Sequence, residues 1–349
     1  MEKQTSLSIL GGPMLDPSSS RFIRTSWMLD AKRTLPIQNM AAAIRFLSAN
    51  DVAKLEELIR KRNVFARHSW ENNFYLRRIR EFANKTVIEV IRPGDPKDIA
   101  AEAQAVATAV ENIAILSSIL YASRTTLQNQ LAITQYRREI VDLTIGPEFN
   151  YLRSRSKREL VIRAVTVDQR FERRFRRLGL DTLVSASIKT DQLGKRIWQA
   201  AQWLLESRLD SSAPAAVIKT SIALESLLGA SDNEPLRATL SERSAFLLSD
   251  DPRLRAKASK LVRDFYDVRS RIVHGGQKIQ LTQSIRLLEA VDRLVFLLMI
   301  TIADNVGSFG SFDALKKWVD DQRWGQNMRI TRPFRDGDLK RALMRGSGA

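Results

Sequence analysis

Arg269 and His274 are the two residues of this chain whose types and spacing suit chemistry on a phosphodiester. A guanidinium is permanently charged and can donate two hydrogen bonds to a phosphate. An imidazole, with an ordinary pKa of about 6.5, takes up or gives a proton near neutral pH. Together they supply a phosphate clamp and a proton-transfer group, which are parts that cleavage of RNA by its own 2′-hydroxyl requires.

The segment that carries this pair has the pattern of a helix ended by glycine. Four apolar residues recur at intervals of four, three and four, which places them on one helix face at about 100° per residue. Gly275 and Gly276 are residues with which helices commonly end. We therefore predict a helix that packs by this face, carries Arg269 beside it and brings His274 to its end. The apolar residues are Leu261, Phe265, Val268 and Ile272.

A continuous helix would point Arg269 and His274 in different directions. Five residues at about 100° each overshoot one turn, so the two side chains would project about 140° apart. Either the helix unwinds just before His274, or a second copy of the chain brings its own pair to the same cleft. The reaction also uses a general base and a general acid, whereas one chain supplies one histidine. The hypothesis is therefore a composite site of two Arg269 and two His274 in a symmetric dimer.

The amino-acid composition excludes several other chemistries. The 349 residues include no cysteine, which excludes disulfides, a thiolate nucleophile and zinc held by cysteines. With only His68 and His274, a zinc site built from histidines is not expected, and His68 is predicted to be a surface residue. No carboxylate cluster suited to Mg²⁺ stands out. We therefore expect neither a metal nor another cofactor.

The chain is strongly basic, with a formal net charge of +17 and a pI of about 10.4, although 44% of its residues are hydrophobic. Nucleic acid is the favoured partner, ahead of a membrane; the alternative is a basic surface that serves only solubility. The N-terminus lacks the pattern of a signal peptide. The apolar run at residues 294–303 is shorter than the ~20 residues that span a bilayer. We expect a cytoplasmic protein that binds no membrane.

The N-terminal half has few clear signals. Residues 1–35 mix Gly, Pro and Ser with scattered apolar residues, and are predicted to be poorly structured. Residues 36–180 are predicted to form a basic, mainly helical domain, with a long helix that starts after Asp95 and runs to about residue 135. Residues 86–91, TVIEVI, are the best candidate for a strand. This strand either pairs with N-terminal strands that the pattern does not reveal or is a short extended connector.

Within residues 136–180, which carry the densest positive charge, lies the segment QRFERRFRRLGL. Its arginines share one helical face and its large apolar residues share another, so the helix can dock by the apolar face and present cations to phosphates. A solvated basic helix tied to neighbouring acids is the equally favoured alternative. The candidates for RNA binding are Arg170, Arg173, Arg174 and Arg177, with Arg271 beside the motif.

Residues 186–325 are predicted to form a helical bundle of about five helices, followed by a basic tail at 326–349. Glu225, on the second of these helices, lies on an apolar face and therefore needs a partner. An ion pair with Arg243 of the third helix is favoured. The alternative is that Glu225 orients the Arg or His of the motif.

The sequence YDVRSRIVHGG resembles the motif of the Apea-like branch of the HEPN superfamily, in which an Arg is followed a few residues later by His and Gly. Here these residues are Arg269, His274 and Gly275. The flanking ALESLLG and LSERSAFLL, and the apolar helix after HGG, are similar to the family over about residues 186–303. Many members have Asn, Asp or His directly after the motif Arg, where this chain has Ser270.

The resemblance implies a mainly α protein whose C-terminal bundle is a HEPN domain. It also implies a homodimer that cleaves RNA without a metal, as a toxin or an antiviral defence effector, with a neutralising or activating protein partner. Some members have lost catalysis, so the alternative is a non-catalytic scaffold that binds nucleic acid or dimerises. The auxiliary site candidates are Ser270, Tyr266, Glu225, Arg243 and Gly275; Tyr266 either lines the cleft or packs.

Overall fold

In the computed structural model the chain forms two compact units. The first unit comprises Met1–Glu111, Gln135–Glu159 and Ala164–Glu172, and the second comprises Asn112–Thr134, Leu160–Arg163 and Arg173–Ala349. The residues described are 19–26, 29–38, 40–61, 76–77, 79–121, 135–145, 150–160, 165–210, 212–229, 235–275, 281–325 and 329–344.

The first unit is built around a six-stranded sheet with the strand order β3-β4-β5-β1-β6-β7. The β1–β5, β1–β6, β3–β4 and β4–β5 pairs are all antiparallel. A separate pair, β2 and β8, is parallel. The strands are β1 (Ser19–Ser26), β2 (Leu29–Ala31), β3 (Leu35–Ile37), β4 (Ala42–Leu47), β5 (Lys85–Pro93), β6 (Gln135–Ile145), β7 (Asn150–Leu160) and β8 (Val165–Val167).

Helices cover both faces of this sheet. Helix α1 (Ala49–Lys61) contributes to an apolar core with one face, which includes Ile23 and Val87. Helix α2 (Pro96–Ser117) lies over the other face, where Arg24 Nη1 donates a hydrogen bond of 2.6 Å to the hydroxyl of Thr108. Because neighbouring residues of a strand point to opposite faces, Ile23 lies on the face of β1 that α1 covers and Arg24 lies on the face that α2 covers.

The protein is mainly helical, as predicted, but its N-terminal part also contains a six-stranded sheet, where the sequence predicted at most a short strand. Strands β1 and β2 lie within the segment to which the sequence assigned no structure, and further strands occupy much of residues 36–180. In β4, AAIRFL, five of six residues are buried, because both faces of the sheet are covered. The alternation that identifies a half-buried strand is therefore missing. The strand expected at residues 86–91 is confirmed as β5, and its neighbours β1 and β4 are the partners that the pattern did not reveal.

Helix α2 is shorter than predicted, since it ends at Ser117 and is followed by a 3₁₀ turn. With that turn, the stretch Asp98–Leu120 is long and apolar enough to cross a membrane, and it is the candidate span found in the described residues. About two thirds of its apolar window, 67%, is buried inside the protein. This burial is typical of a core helix.

The second unit is helical. The five helices predicted by apolar periodicity are confirmed as α5 to α9, and additional helices precede and follow them. Their bounds are α4 (Leu180–Ser187), α5 (Gln192–Leu209), α6 (Ala213–Leu228), α7 (Leu236–Leu248), α8 (Pro252–Gly275), α9 (Leu281–Asp304), α10 (Val306–Phe309), α11 (Phe312–Arg323) and α12 (Asp336–Met344).

Helix α9 is the centre of this unit and packs against α4, α5, α6, α7, α8 and α12. Its residues 290–303 are all buried, as its nearly continuous apolar sequence predicts. The fully buried Asp292 accepts a hydrogen bond of 2.8 Å from Thr220 and lies 3.6 Å from the guanidinium of Arg208. This polar network joins α9 to α6 and α5, and so fixes the framework on which α8 packs.

The segment predicted as a basic tail contains the docked helix α12, whose residues Leu339 and Leu343 are buried. Arg332 fixes the chain before this helix, because its guanidinium donates to the carbonyl oxygen of Leu247 at 2.8 Å and to the carboxylate of Asp250 at 2.8 Å. The second unit therefore extends beyond the predicted limits of 186 and 325 at both ends.

Candidate active site

Helix α8 positions both residues of the motif. It begins where the Asp251 carboxylate accepts a hydrogen bond of 2.8 Å from the backbone N–H of Arg253, as a cap of the first free amides does. Its apolar face packs on α6, α7 and α9. The residues buried there include three of the four apolar positions of the predicted stripe, namely Leu261, Phe265 and Val268.

The helix continues through His274 to Gly275. The unwinding that would let Arg269 and His274 of one chain converge is therefore absent from α8, and the two side chains leave the helix about 140° apart. Gly275 closes the helix as predicted, whereas Gly276 lies outside the described residues, as does His68.

Arg269 lies beside a carboxylate that a tyrosine holds in place. The hydroxyl of Tyr266 donates a hydrogen bond of 2.9 Å to Oε1 of Glu225, and Arg269 Nη2 is 3.9 Å from the same oxygen. Tyr266 is only 6% exposed, and this burial, together with the negative charge of Glu225, raises the pKa of its phenol. The phenol therefore stays protonated and remains a donor to Glu225.

The guanidinium of Arg269 has unused hydrogen-bonding capacity. Its distance from Glu225 is that of an ion pair rather than of a hydrogen bond. Its Nε is buried and has no hydrogen-bond partner among the described residues, while the side chain as a whole is 30% exposed. A buried donor without an acceptor costs ~1–3 kcal/mol. The exposed part of the side chain leaves further N–H groups of the guanidinium free to donate to a phosphate oxygen.

His274 is exposed in the last turn of α8, next to an apolar side chain, Val273, that is 46% exposed. Ser270 and Arg271 are exposed one turn earlier, and Arg271 Nε donates to the carbonyl oxygen of Asp267 at 3.3 Å. The end of α8 thus exposes an imidazole, a hydroxyl and a guanidinium to solvent.

Arg243 is placed differently from the prediction. It donates a hydrogen bond of 2.7 Å to the carbonyl oxygen of Leu228, and the partners of Glu225 are Tyr266 and Arg269 instead. The predicted Glu225–Arg243 ion pair is therefore wrong. Arg243 satisfies a free carbonyl at the end of α6, which is an architectural role, and the alternative in which Glu225 faces the motif Arg describes the arrangement found.

The basic helix α3 (Gln169–Arg177) forms as predicted, with Phe171 and Phe175 buried. Its four candidate arginines do not form one free cationic face. The guanidinium of Arg174 lies 4.4 Å from the centre of the Tyr121 ring, and Arg177 donates to the Tyr121 hydroxyl at 3.2 Å and lies 3.5 Å from Asp338. Arg170 and Arg173 are exposed and have no side-chain partner among the described residues.

Sequence reasoning missed a row of cations on the exposed face of α8. The spacing of these residues, opposite the apolar stripe, was a usable signal, because positions four and three residues apart share a helix face. The row consists of Arg253, Lys257, Lys260 and Arg263.

No group of three or more acidic or histidine side chains that could hold a metal occurs in the described part of the chain. Comparisons with protein-family models, with curated proteins and with solved structures found no match.

Proposed function

We propose that this chain is a metal-independent endoribonuclease of HEPN type, which cleaves RNA at a site composed of Arg269 and His274 from two copies of the chain. The observation that carries the proposal is the state of Arg269, whose side chain is 30% exposed while Glu225 holds the guanidinium at ion-pair distance rather than by a hydrogen bond. Such a guanidinium is held in place and still able to donate to a phosphate.

Two copies of the chain would supply every group that this reaction needs. One His274, as neutral imidazole, takes the proton of the 2′-hydroxyl while O2′ forms a bond to the adjacent phosphorus. The other His274, as imidazolium, gives a proton to O5′ as the P–O5′ bond breaks. Arg269 stabilises the negative charge of the phosphorane between these steps. The products are a 2′,3′-cyclic phosphate and a 5′-hydroxyl.

The direction of the side chains supports a dimer. Arg269 and His274 of one chain diverge on a continuous helix, so one chain cannot place both on one phosphate. The exposed Val273 next to His274 gives the C-terminal turn of α8 an apolar surface for contact with a second copy. We infer a symmetric contact between these turns, which brings two imidazoles into one cleft.

The biological role belongs to the same proposal and rests on the resemblance of the motif. A nuclease that cuts cellular RNA suits a toxin or an effector of defence against phage. Such an enzyme requires restraint, so a neutralising or activating protein is an expected partner.

The test is cleavage of mixed cellular RNA in EDTA by the wild type, His274→Ala and His68→Ala, with analysis of the product ends. We expect cleavage by the wild type and by His68→Ala, loss in His274→Ala, and cyclic phosphate ends. His68→Ala is the matched control, because it removes the other histidine of the chain. Full activity of His274→Ala, or dependence on a divalent metal, would overturn the proposal.

The same experiment separates the second candidate, a non-catalytic scaffold. In that case no variant cleaves RNA, while binding of RNA persists in His274→Ala. Circular dichroism of each variant establishes that the lost activity does not come from unfolding.

A further inference from the structure

Helix α8 is much more basic than its neighbours require. Its sequence holds seven Arg or Lys residues against two Asp residues. Arg269 faces Glu225, and Arg255 is held by the carbonyl oxygen of Ser249 at 2.7 Å and by Asp250. The remaining cations lie on the side of the helix that faces away from the core. They are Arg253, Lys257, Lys260, Arg263 and Arg271, and all are exposed.

Among the described residues, few acidic side chains neutralise this charge. Lys260 pairs with Asp264, and Asp267 pairs with Arg237 of α7 at 2.8 Å. The side chains of Arg253, Lys257 and Arg263 have no acidic or hydrogen-bonding partner among the described residues. Unpaired like charges in a row repel one another, which is a cost that a bound polyanion removes.

The row leads to the proposed catalytic histidine. At about 100° per residue, its members and His274 all lie within about 60° of the direction of Lys260. At a rise of ~1.5 Å per residue, Arg263 is about 16 Å and Arg253 about 32 Å from His274 along the axis. A single RNA strand whose phosphates contact these cations in order would therefore reach the imidazole of His274.

We propose that the exposed row Arg253, Lys257, Lys260 and Arg263 binds the phosphates of single-stranded RNA and guides the strand to His274. This inference rests on the proposed function and adds the path of the substrate to it. A nucleic acid fits better than a membrane, because the apolar face of α8 is buried in the bundle and a helix that lies in a membrane needs that face free.

The row also limits how two copies can meet. Burying unpaired cations in an interface is costly, so the contact between copies is confined to the C-terminal turn of α8, beyond the row. The two rows then remain exposed on either side of the composite site.

The test is binding of a fluorescein-labelled single-stranded 2′-O-methyl RNA of 20 nucleotides, followed by anisotropy at several salt concentrations. This probe has no free 2′-hydroxyl and cannot be cleaved by the proposed chemistry, so the measurement does not depend on catalysis. The test variant is Arg253→Gln/Lys257→Gln/Arg263→Gln. The matched control is Lys189→Gln/Lys195→Gln/Lys340→Gln, which removes the same charge from three exposed lysines of the second unit without partners among the described residues.

We expect the α8 variant to bind at least about tenfold more weakly at 0.1 M salt, and its slope of log affinity against log salt to fall by about 2, since each lost contact with a single strand contributes ~0.7. The control should keep nearly the wild-type slope. Equal losses in both variants, or no loss in the α8 variant, would overturn the inference. Weak binding by the α8 variant together with a wild type that cleaves no RNA would instead refute the proposed function and leave the binding row standing.

Discussion

The hydroxyl of Tyr266 and the carboxylate of Glu225 are joined by a hydrogen bond of 2.9 Å, and this carboxylate is the one that faces Arg269. The three residues connect the interior of the bundle to its surface. Tyr266 is buried, Glu225 is partly exposed, and Arg269 reaches toward the solvent. A guanidinium supported in this way has fewer positions available than a free surface arginine, which favours binding of a phosphate in a fixed place.

Replacing Tyr266 with Phe should change how stability depends on alkaline pH. The pKa of Tyr266 is raised in the folded protein, whereas an unfolded tyrosine loses its proton at about pH 10. Above that pH the unfolded chain binds fewer protons than the folded one, so the free energy of unfolding falls as pH rises. Wild type should lose up to ~1.4 kcal/mol per pH unit more than Tyr266→Phe.

Urea unfolding between pH 9 and about pH 11 measures this difference. At neutral pH the same substitution should cost ~1 kcal/mol, since it removes one buried hydrogen bond. Parallel stability curves for the two proteins in the alkaline range would contradict the assignment of a raised pKa to Tyr266.

Replacing Glu225 with Gln should show whether Glu225 positions Arg269 for catalysis or only stabilises the fold. The amide oxygen can still accept the hydrogen bond of Tyr266, but the charge that faces Arg269 is lost. If Glu225 holds the guanidinium, kcat for RNA cleavage should fall about tenfold, with little change in the unfolding midpoint or in binding of an uncleavable RNA. A fall in stability that accounts for the whole loss of activity would mean that Glu225 is only structural.

Helices of the second unit could be predicted from sequence because each has one buried face or is buried on all sides. The stripe that contains Phe265 and the apolar run of α9 give clear patterns with the period of a helix. In the first unit, β5 was the only strand that the sequence predicted. Its neighbour β4 carries Arg45, which pairs with the buried Glu89 of β5 at 2.9 Å, so a charged residue appears where a core strand should be apolar.

The sequence also predicts which residues form the motif, but it does not identify the partner of Glu225. An acid on an apolar face needs a partner, and the sequence offers Arg243, Tyr266 and Arg269 within reach of one helix bundle. Which of them lies nearest depends on the packing of α6 against α7 and α8. The carbonyl oxygen of Leu228 at the end of α6 accepts a hydrogen bond from Arg243. Glu225 therefore interacts with Tyr266 and Arg269 of α8 instead.

Replacing Asp304 with Asn should stabilise the protein at neutral pH. Burial raises the pKa of this carboxyl, and the C-terminal end of α9, where it lies, carries a partial negative charge that also disfavours an anion. Because the pKa of Asp304 is higher in the folded than in the unfolded protein, its contribution to the free energy of unfolding is most favourable at low pH, where the carboxyl is neutral. This contribution is lost as pH rises through the folded-state pKa. The gain of Asp304→Asn should therefore appear at pH 7 and vanish near pH 3.

Thermal unfolding of both proteins at the two pH values measures the effect. The gain should stay below ~1 kcal/mol, because the carboxyl is partly exposed and water screens its charge. A gain of equal size at both pH values would show that ionisation of Asp304 is not its cause.

A mixed dimer should reveal whether the two histidines act together. Two differently tagged chains, one wild type and one His274→Ala, are co-expressed and the mixed species is purified through both tags. If one His274 is the base and the other the acid, the mixed dimer lacks one of them at its composite site, and cleavage should fall at least ~100-fold. A mixed dimer with His68→Ala in the second chain should keep full activity. Half of the wild-type activity in the His274→Ala dimer would mean that each chain works alone, and the composite site would then be wrong.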